Sequence, residues 1–348
     1  ASASAAVFTA APDGRLTPVV SIGQRIVPDT GEPEGAALRR LGEAVLGSDG
    51  SLLVRATLVG GTPGLFVARD GEVKALARLG EATDLGSGFR FADGSVRGAA
   101  ETGLFLGLQD GVYVAGAPGL VEAVAVLGDP TPLGGTYAGF EPPAGGPDGR
   151  LVFGASIHGG KTSDALFAVG RRGPVAIVRV DSRVPGGGRI VDLFPDTLDP
   201  ITRVSIAPGS VAFHAALGDT RSNAGVFLRL AAGIRSVVRA GDRAPGGGEY
   251  LVFGTPAAMS RRRAAFVAQV RGEGTALFVA ASKRSARAVA VAGKSTQTRL
   301  AGVFGTFDPP VASDDLVAFR STLARPGVEG VFLAGGQTLV ALAGTGDE

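Results

Sequence analysis

The chain has 348 residues, of which 45% are hydrophobic and 19% are charged, and its formal net charge is +2. This composition excludes a disordered chain, and no apolar run approaches the roughly 20 residues that a membrane-spanning helix needs. The chain contains no cysteine, which excludes disulfides and thiolate metal sites, and its scattered basic residues do not form the concentrated patch of a nucleic-acid binder.

The chain begins with Ala1-Ser-Ala-Ser-Ala-Ala and has no initial methionine. Small residues of this kind surround the sites that signal peptidases cut. We therefore expect a mature chain that remains after removal of a signal peptide. Its expected location is outside the cell, either secreted or held at the cell surface.

A motif made of a small, an aliphatic and an aromatic residue recurs seven times. Its copies start at residues 6, 64, 111, 165, 225, 276 and 330, so successive starts lie 47 to 60 residues apart. A turn and a second apolar run follow each copy and close on glycine and a polar residue, which predicts a β-hairpin. We expect the aromatic residues to be buried at equivalent positions; they are Phe8, Phe66, Tyr113, Phe167, Phe227, Phe278 and Phe332.

A second hairpin follows the first in six of the seven copies. Glycine-rich connections lead to it, most clearly at Arg183–Gly188 and Arg243–Gly248. Its return strand is short and apolar, as in Leu151–Phe153 and Val317–Phe319. Glycine and proline are frequent, with 56 and 21 residues, and they favour strands joined by tight turns over helices.

Four short strands in each unit of about 50 residues are typical of β-propeller blades. The sequence therefore predicts an all-β propeller of six four-stranded units, forming a single domain over residues 24–348. A surplus hairpin over residues 1–23 precedes it and leaves open whether the blades number six or seven. The best helical candidate, residues 34–46, aligns with strand segments of other copies, and a tandem of β-sandwiches would need units near 100 residues.

The repeat itself resembles that of a known group of proteins. Its successive elements are Gly-Val-Phe, Val-Val-x-x-Gly-Asp, Pro-Gly-Gly-Gly and Asp-Gly-x-Val-Ala-Phe. This pattern resembles uncharacterised repeat proteins that bacteria export and that are predicted to form propellers. The resemblance covers nearly the whole chain and implies the architecture, but it implies no catalytic residue, since that family has no assigned activity.

Residues suited to catalysis or metal binding are few. The two histidines, His158 and His214, lie in neighbouring copies, and two are too few for a typical zinc site without several carboxylates. No Gly-x-Ser-x-Gly elbow presents a nucleophile, so a catalytic triad is unsupported. We expect no catalytic residue, no cofactor and no metal, and we do not expect an enzyme.

Two glycine-rich turns bear a superficial likeness to phosphate-binding loops. Pro185–Gly188 and Pro245–Gly248 lack the Lys-Ser/Thr that follows a P-loop, and they open onto no helix. We expect them to be matching turns without a bound phosphate.

Acidic residues gather at two kinds of position. A calcium site near Asp192, Asp196 and Asp199 stays open, although their spacing matches no calcium loop. Other aspartates recur after the first hairpin of a copy, and we interpret them as turn residues that cap backbone N–H groups. These are Asp129, Asp181, Asp242 and Asp347, with Gln24, Glu81 and Lys294 in the remaining copies.

The N-terminal hairpin has no second hairpin to complete a blade. An isolated hairpin is marginal in water, and a free sheet edge is a template for pairing. We predict that Val7, Phe8, Val19 and Val20 contribute to a contact between subunits, in a homo-oligomer or a polymer. The alternative is a two-stranded seventh blade in a monomer.

Three functions follow from these observations, and the sequence favours the first. It is a non-catalytic extracellular structural protein that self-associates or joins a surface assembly such as a filament. The second is a monomeric propeller that binds a carbohydrate or another small ligand, which the absence of tryptophan and the presence of only three tyrosines disfavour. The third and least favoured is a propeller hydrolase. The natural ligand and the host are not evident from the sequence.

Overall fold

The structure, a computed structural model, describes residues 5–10, 15–27, 36–46, 50–61, 63–78, 82–83, 86–90, 95–100, 103–108, 111–117, 120–141, 143–146, 150–195, 204–218, 221–324 and 327–345. The chain divides into two compact units, residues 1–163 with 167–176 and residues 164–166 with 177–348. That residues 24–348 form one domain stays a prediction. Among the described residues, the regular structure is β-strand apart from one 3-10 turn, Ser260–Arg262.

The first part of the chain forms a two-stranded hairpin and three larger sheets, which we call blades 1 to 3. The hairpin is β1 (Ala6–Ala10) with β2 (Leu16–Ser21). Blade 1 is β3 (Leu38–Leu46), β4 (Leu52–Leu58), β5 (Pro63–Arg69) and β6 (Glu72–Arg78), followed by the short pair β7 (Ala82–Thr83) and β8 (Gly86–Arg90). Blade 2 is β9 (Ser95–Ala100), β10 (Gly103–Leu108), β11 (Gly111–Ala117) and β12 (Leu120–Val126). Blade 3 is β13 (Thr136–Phe140), β14 (Ala144–Gly145), β15 (Leu151–His158), β16 (Asp164–Gly170) and β17 (Gly173–Arg179).

The remaining strands form blades 4 to 6. Blade 4 is β18 (Arg189–Asp192), β19 (Val204–Ala207), β20 (Ser210–Gly218), β21 (Ala224–Leu230) and β22 (Gly233–Arg239). Blade 5 is β23 (Arg243–Ala244), β24 (Gly247–Phe253), β25 (Ala257–Met259), β26 (Arg263–Val270), β27 (Gly274–Ala280) and β28 (Arg287–Val291). Blade 6 is β29 (Phe304–Phe307), β30 (Val311–Ser313), β31 (Leu316–Leu323), β32 (Glu329–Gly335) and β33 (Thr338–Gly344).

Every blade has the same strand order, and this confirms the predicted all-β propeller class. Four main strands pair antiparallel in the order in which the chain forms them, and we number them one to four within each blade. In blades 3 to 6 an additional short strand (β14, β19, β25 or β30) also pairs with the second strand, on the same edge as the first strand. The segment 34–46, the best helical candidate, contains β3, so its alignment with strands is also confirmed.

The strands follow from the alternation of apolar and polar residues. In β31, Val317, Phe319 and Leu323 are buried, whereas Leu316 and Arg320, on the opposite face of the strand, are exposed. Successive side chains of a strand point to opposite faces, so this period of two places one face of the sheet in the core.

The aligned aromatic residues are buried in the six complete blades. They lie on the third strand of each blade and are at most 2% exposed: Phe66, Tyr113, Phe167, Phe227, Phe278 and Phe332. The prediction is confirmed for these six and wrong for Phe8, whose side chain on β1 is 51% exposed. The physical reason is that β1 has only β2 beside it among the described strands, and no second-strand side chain covers Phe8.

A repeated turn joins the fourth strand of one blade to the first strand of the next. In the turn after β22, the Gly241 N–H donates to the Tyr250 carbonyl oxygen (2.9 Å), and the Tyr250 N–H donates to the Asp242 carbonyl oxygen (3.1 Å). Equivalent pairs of bonds hold the buried residues Leu38, Tyr137, Ile190 and Phe304. The junction turn thus fixes where each new blade begins.

The predicted role of the recurring aspartates is confirmed for Asp242 and wrong for Asp181. The Asp242 carboxylate accepts from the Arg239 N–H at 3.0 Å, whereas in blade 3 the equivalent acceptor is the Ser182 hydroxyl, at 3.2 Å from the Arg179 N–H. Asp181 instead occupies the left-handed position (φ 69°) that Gly241 takes in blade 4. Glu81 and Asp347 lie outside the described residues.

Candidate functional site

In blades 3 to 6, the second and third strands meet through a pair of aromatic rings, whereas in blades 1 and 2 Val54 and Leu106 lie opposite the aromatic residue of the third strand. Phe227 on β21 lies directly opposite Phe213 on β20, and the two rings stack at 5.6 Å between centroids. Blades 5 and 6 repeat this arrangement with Phe266 and Phe278 (5.7 Å) and with Phe319 and Phe332 (5.4 Å). The third strand's aromatic residue therefore has a fixed partner on the second strand.

In blades 3, 5 and 6, the first strand supplies the third ring of this cluster. Tyr250 contacts Phe278 edge-on at 5.1 Å, and Phe304 contacts Phe332 in the same way at 5.1 Å. Edge-to-face and offset-stacked rings contribute about 0.5 to 1.5 kcal/mol beyond the area that they bury. In blades 3, 5 and 6 each of the first three main strands therefore contributes one ring to the cluster.

The N-terminal hairpin has the connections of a third and fourth strand. After β2, the Gly23 N–H donates to the Leu38 carbonyl oxygen (2.7 Å), and the Leu38 N–H donates to the Gln24 carbonyl oxygen (3.0 Å). The Gln24 side chain accepts from the Ser21 N–H at 3.1 Å, which is the role of Asp242 in blade 4. We therefore call β1 and β2 the N-terminal half-blade, because they match the second half of a blade and no described strand pairs with the other edge of β1.

One face of the half-blade docks on blade 1 of the same chain. Val20 is fully buried in a cluster with Ile26, Leu38 and Phe66, and Val7 and Val19 are partly buried against that cluster. This burial leaves Val20 no surface for a contact between subunits. Such a contact, which stays a prediction, would fall mainly to Phe8.

The opposite face of the half-blade is apolar and exposed. Phe8 pairs with Pro18 and Ala10 pairs with Leu16 across the hairpin, with a bulge beside Phe8. Phe8, Leu16 and Pro18 are all exposed. Phe8 thus lacks the ring that Phe213 or Phe266 provides in a complete blade.

The two glycine-rich turns occupy equivalent places but differ internally. Both use left-handed glycines, and each lies between paired residues, Arg183 with Arg189 and Arg243 with Glu249. The turn Pro185–Gly188 directs three carbonyl oxygens at the guanidinium group of Arg239. Carbonyl oxygens attract a cation and repel an anion, so the chemistry of this turn does not suit phosphate.

The histidines lie in unlike environments. His158 ends β15 and is exposed, whereas His214 is buried on β20 with its ring 5.9 Å from that of Phe253. Within the described part of the chain, neither ring nitrogen of His214 has a hydrogen-bond partner. Burial lowers the pKa of His214 from 6.5 to about 4, so this residue is neutral at pH 7.

The acidic segment after β18 is only partly described. The Asp192 carboxylate accepts a hydrogen bond from the Phe194 N–H at 2.7 Å, which makes it a turn residue. Asp196 and Asp199 lie outside the described residues, and calcium binding there stays open. Over the described ranges, no group of three His, Cys, Asp or Glu residues is placed to hold a metal ion. The same ranges contain no helix with the length and apolarity to cross a membrane.

Six consecutive four-stranded antiparallel sheets define a protein of the β-propeller class. Within that class, the chain belongs to the "Family of unknown function (DUF7453)", whose model matches residues 102–348. A comparison with curated proteins finds no match.

Solved structures similar to the chain include proteins of differing activity. They are a puromycin-hydrolysing peptidase of Mycobacterium tuberculosis (14% identity, TM-score 0.43, 87% of this chain and 52% of that chain), a fucose-specific lectin from Aleuria aurantia (11%, 0.39, 84% and 89%) and a xyloglucanase from Xanthomonas campestris (13%, 0.40, 84% and 45%). The chain spans about half the length of the peptidase. At these TM-scores, the similarities support no argument about activity or ligand.

Proposed function

We propose that this chain is a non-catalytic interaction protein, a β-propeller that associates by strand pairing at the open edge of its N-terminal half-blade. The observation that carries the proposal is the exposure of Phe8, at a position where the other six copies bury their aromatic residue. Burying a phenylalanine side chain contributes about 1.5 to 3 kcal/mol, so the exposed ring favours association.

β1, the strand that contains Phe8, is suited to receive another strand at its open edge. Proteins protect edge strands with lysine, proline or inward-pointing charges, because unpaired N–H and C=O groups recruit other chains. β1 has the sequence Ala-Val-Phe-Thr-Ala and carries none of these residues. Addition of a strand to an exposed edge is an established mode of recognition.

The blades of the same chain indicate what such a strand would contain. In blades 3 to 6 the second strand places an aromatic residue opposite the aromatic residue of the third, as Phe266 does for Phe278, and in blades 1 and 2 it places Val54 or Leu106 there. The proposed partner is therefore an extended segment with an aromatic residue in register with Phe8. An extracellular setting is part of the proposal.

A labelled peptide with the sequence of β26, Arg263–Val270, tests the proposal. We expect it to bind the intact protein, and we expect Phe8→Ser to weaken binding at least tenfold, about 1.4 kcal/mol. Val311→Ser is the matched control, since Val311 is a strand residue 68% exposed in blade 6.

A second control is the same peptide with serine at the position of Phe266, which should bind poorly. Fluorescence polarisation measures all six combinations of the two peptides with wild type, Phe8→Ser and Val311→Ser. No binding of the β26 peptide, or equal binding by the Phe8→Ser and Val311→Ser variants, would contradict the proposal.

A further inference from the structure

We infer that the partner of this edge is the same strand of a second copy of the chain. Two β1 strands would pair antiparallel about a two-fold axis between Phe8 and the partner's Phe8. This inference rests on the proposed function and adds the identity and geometry of the partner.

The position of Phe8 in its strand makes this pairing self-complementary. β1 runs from Ala6 to Ala10, so Phe8 is its central residue, with two residues on either side. An antiparallel pair centred there sets Phe8 opposite the partner's Phe8 and Ala6 opposite the partner's Ala10. In complete blades, Phe213 lies directly opposite Phe227 on the neighbouring antiparallel strand, and Phe319 lies opposite Phe332 in the same way.

The backbone of β1 presents the required groups to the open edge. The Ala5 carbonyl oxygen accepts from the Ile22 N–H at 3.0 Å, so residue 5 directs its main-chain groups towards β2. Because these directions alternate along a strand, the N–H and C=O of Phe8 point away from β2. Phe8 and the partner's Phe8 can therefore exchange both of their main-chain hydrogen bonds.

The side chains of β1 raise no electrostatic obstacle to self-pairing. None of its five residues is charged, and its one polar side chain, the Thr9 hydroxyl, lies 3.4 Å from the Thr17 carbonyl oxygen of the same hairpin. Like charges directly opposite each other destabilise strand pairs, and this pairing places none together.

The size of the contact predicts its affinity, and its symmetry predicts the number of subunits. Two half-blades paired in this way give a four-stranded sheet, β2–β1–β1–β2, with the strand number of a blade. An aromatic side chain buries about 150 to 250 Å², well below the roughly 1,600 Å² of a standard interface, so we expect a weak and reversible dimer. A two-fold contact uses the same patch on both copies and therefore closes at two subunits instead of growing into a filament.

Single cysteines can report this register because the chain has none of its own. Ala6→Cys in one copy and Ala10→Cys in the other would bring two Cα atoms to about 5.5 Å, within reach of a disulfide. Two copies of Ala6→Cys would hold their cysteines about 14 Å apart, which is too far. Phe8 is kept in both variants.

We expect disulfide-linked dimers when the two variants are mixed and oxidised, and none from either variant alone. Cross-linking of Ala6→Cys alone, or wild-type association without cross-linking in the mixture, would overturn the two-fold pairing. If the β26 peptide still binds in that case, the proposed function stands and only the identity of the partner is wrong.

Discussion

Arg239 and Gly187 are joined across a blade junction by a hydrogen bond of 2.9 Å from the guanidinium Nη1 to the carbonyl oxygen. Arg239 ends the fourth strand of blade 4, and Gly187 lies in the turn that leads from blade 3 into blade 4. The same guanidinium donates to the Pro185 carbonyl oxygen at 2.5 Å and lies over the Phe227 ring at 6.0 Å. A buried arginine here links the entry and the exit of one blade.

We expect Arg239→Met to lower the free energy of unfolding by about 2 to 3 kcal/mol, because it removes the hydrogen bonds that the charged guanidinium donates to the Pro185 and Gly187 carbonyl oxygens. Arg239→Lys should recover only part of the loss, since an ammonium group lacks the planar fork of guanidinium. Chemical denaturation of the three proteins measures the effect. Equal stability of the methionine variant and the wild type would show that the contact is incidental.

The left-handed residue of the junction turn gives a second prediction. Gly241 has φ 84°, so Gly241→Ala should cost about 1 to 2 kcal/mol. Gly170→Ala is the control, because Gly170 is not left-handed and an added Cβ would meet its nearest atom at 3.5 Å, an ordinary contact. Thermal unfolding compares the two variants, and a larger loss at Gly170 would refute the assignment.

His214 predicts a dependence of stability on pH. Its pKa is about 4 in the folded protein and near 6.5 when unfolded, so the unfolded chain binds the proton more readily. Stability from this residue is complete above pH 6.5 and is lost as the pH falls towards 4. We expect wild type to lose about 2 kcal/mol relative to His214→Leu between pH 7.5 and pH 5. Denaturation curves for the two proteins at several pH values measure this difference, and parallel pH profiles would contradict the prediction.

Tyr250 carries a buried hydroxyl group without a hydrogen-bond partner among the described residues. Burial raises the pKa of this hydroxyl most, and the nearby carboxylates of Asp242 and Glu273 raise it further. The equivalent residue of blade 6 is Phe304, so the site accepts a ring without the hydroxyl. Tyr250→Phe should leave stability unchanged or raise it by about 1 kcal/mol. A loss of more than that on thermal unfolding would reveal a partner for the hydroxyl.

Much of the fold could be predicted from the sequence, because each repeat has the same order of apolar strands and glycine-rich turns. The aromatic residue of the third strand recurs at a regular spacing, and only a shared buried position explains six such residues. Phe8 was the exception, since burial depends on a neighbouring strand and not on the residue alone. The motif predicts the strand, whereas Phe8 is exposed because no second described strand pairs with β1.

Finer details depended on alignment and on contacts between blades. Residues 173–188 align without a gap with 233–248, which places Asp181 at Gly241 and Ser182 at Asp242. That alignment could have corrected the role of Asp181. Nothing in the sequence pairs Arg239 with a turn more than 50 residues earlier, because the contact arises only when successive blades pack.

The central claim is that two copies of this protein associate through the open edge at Phe8. Sedimentation equilibrium from about 1 to about 100 µM, the range in which weak interfaces dissociate, tests it most directly. We predict that the wild type and Val311→Ser shift from monomer towards dimer as concentration rises, while Phe8→Ser remains monomeric. A wild type that stays monomeric throughout, or a Phe8→Ser variant that dimerises as readily as the wild type, would contradict the claim.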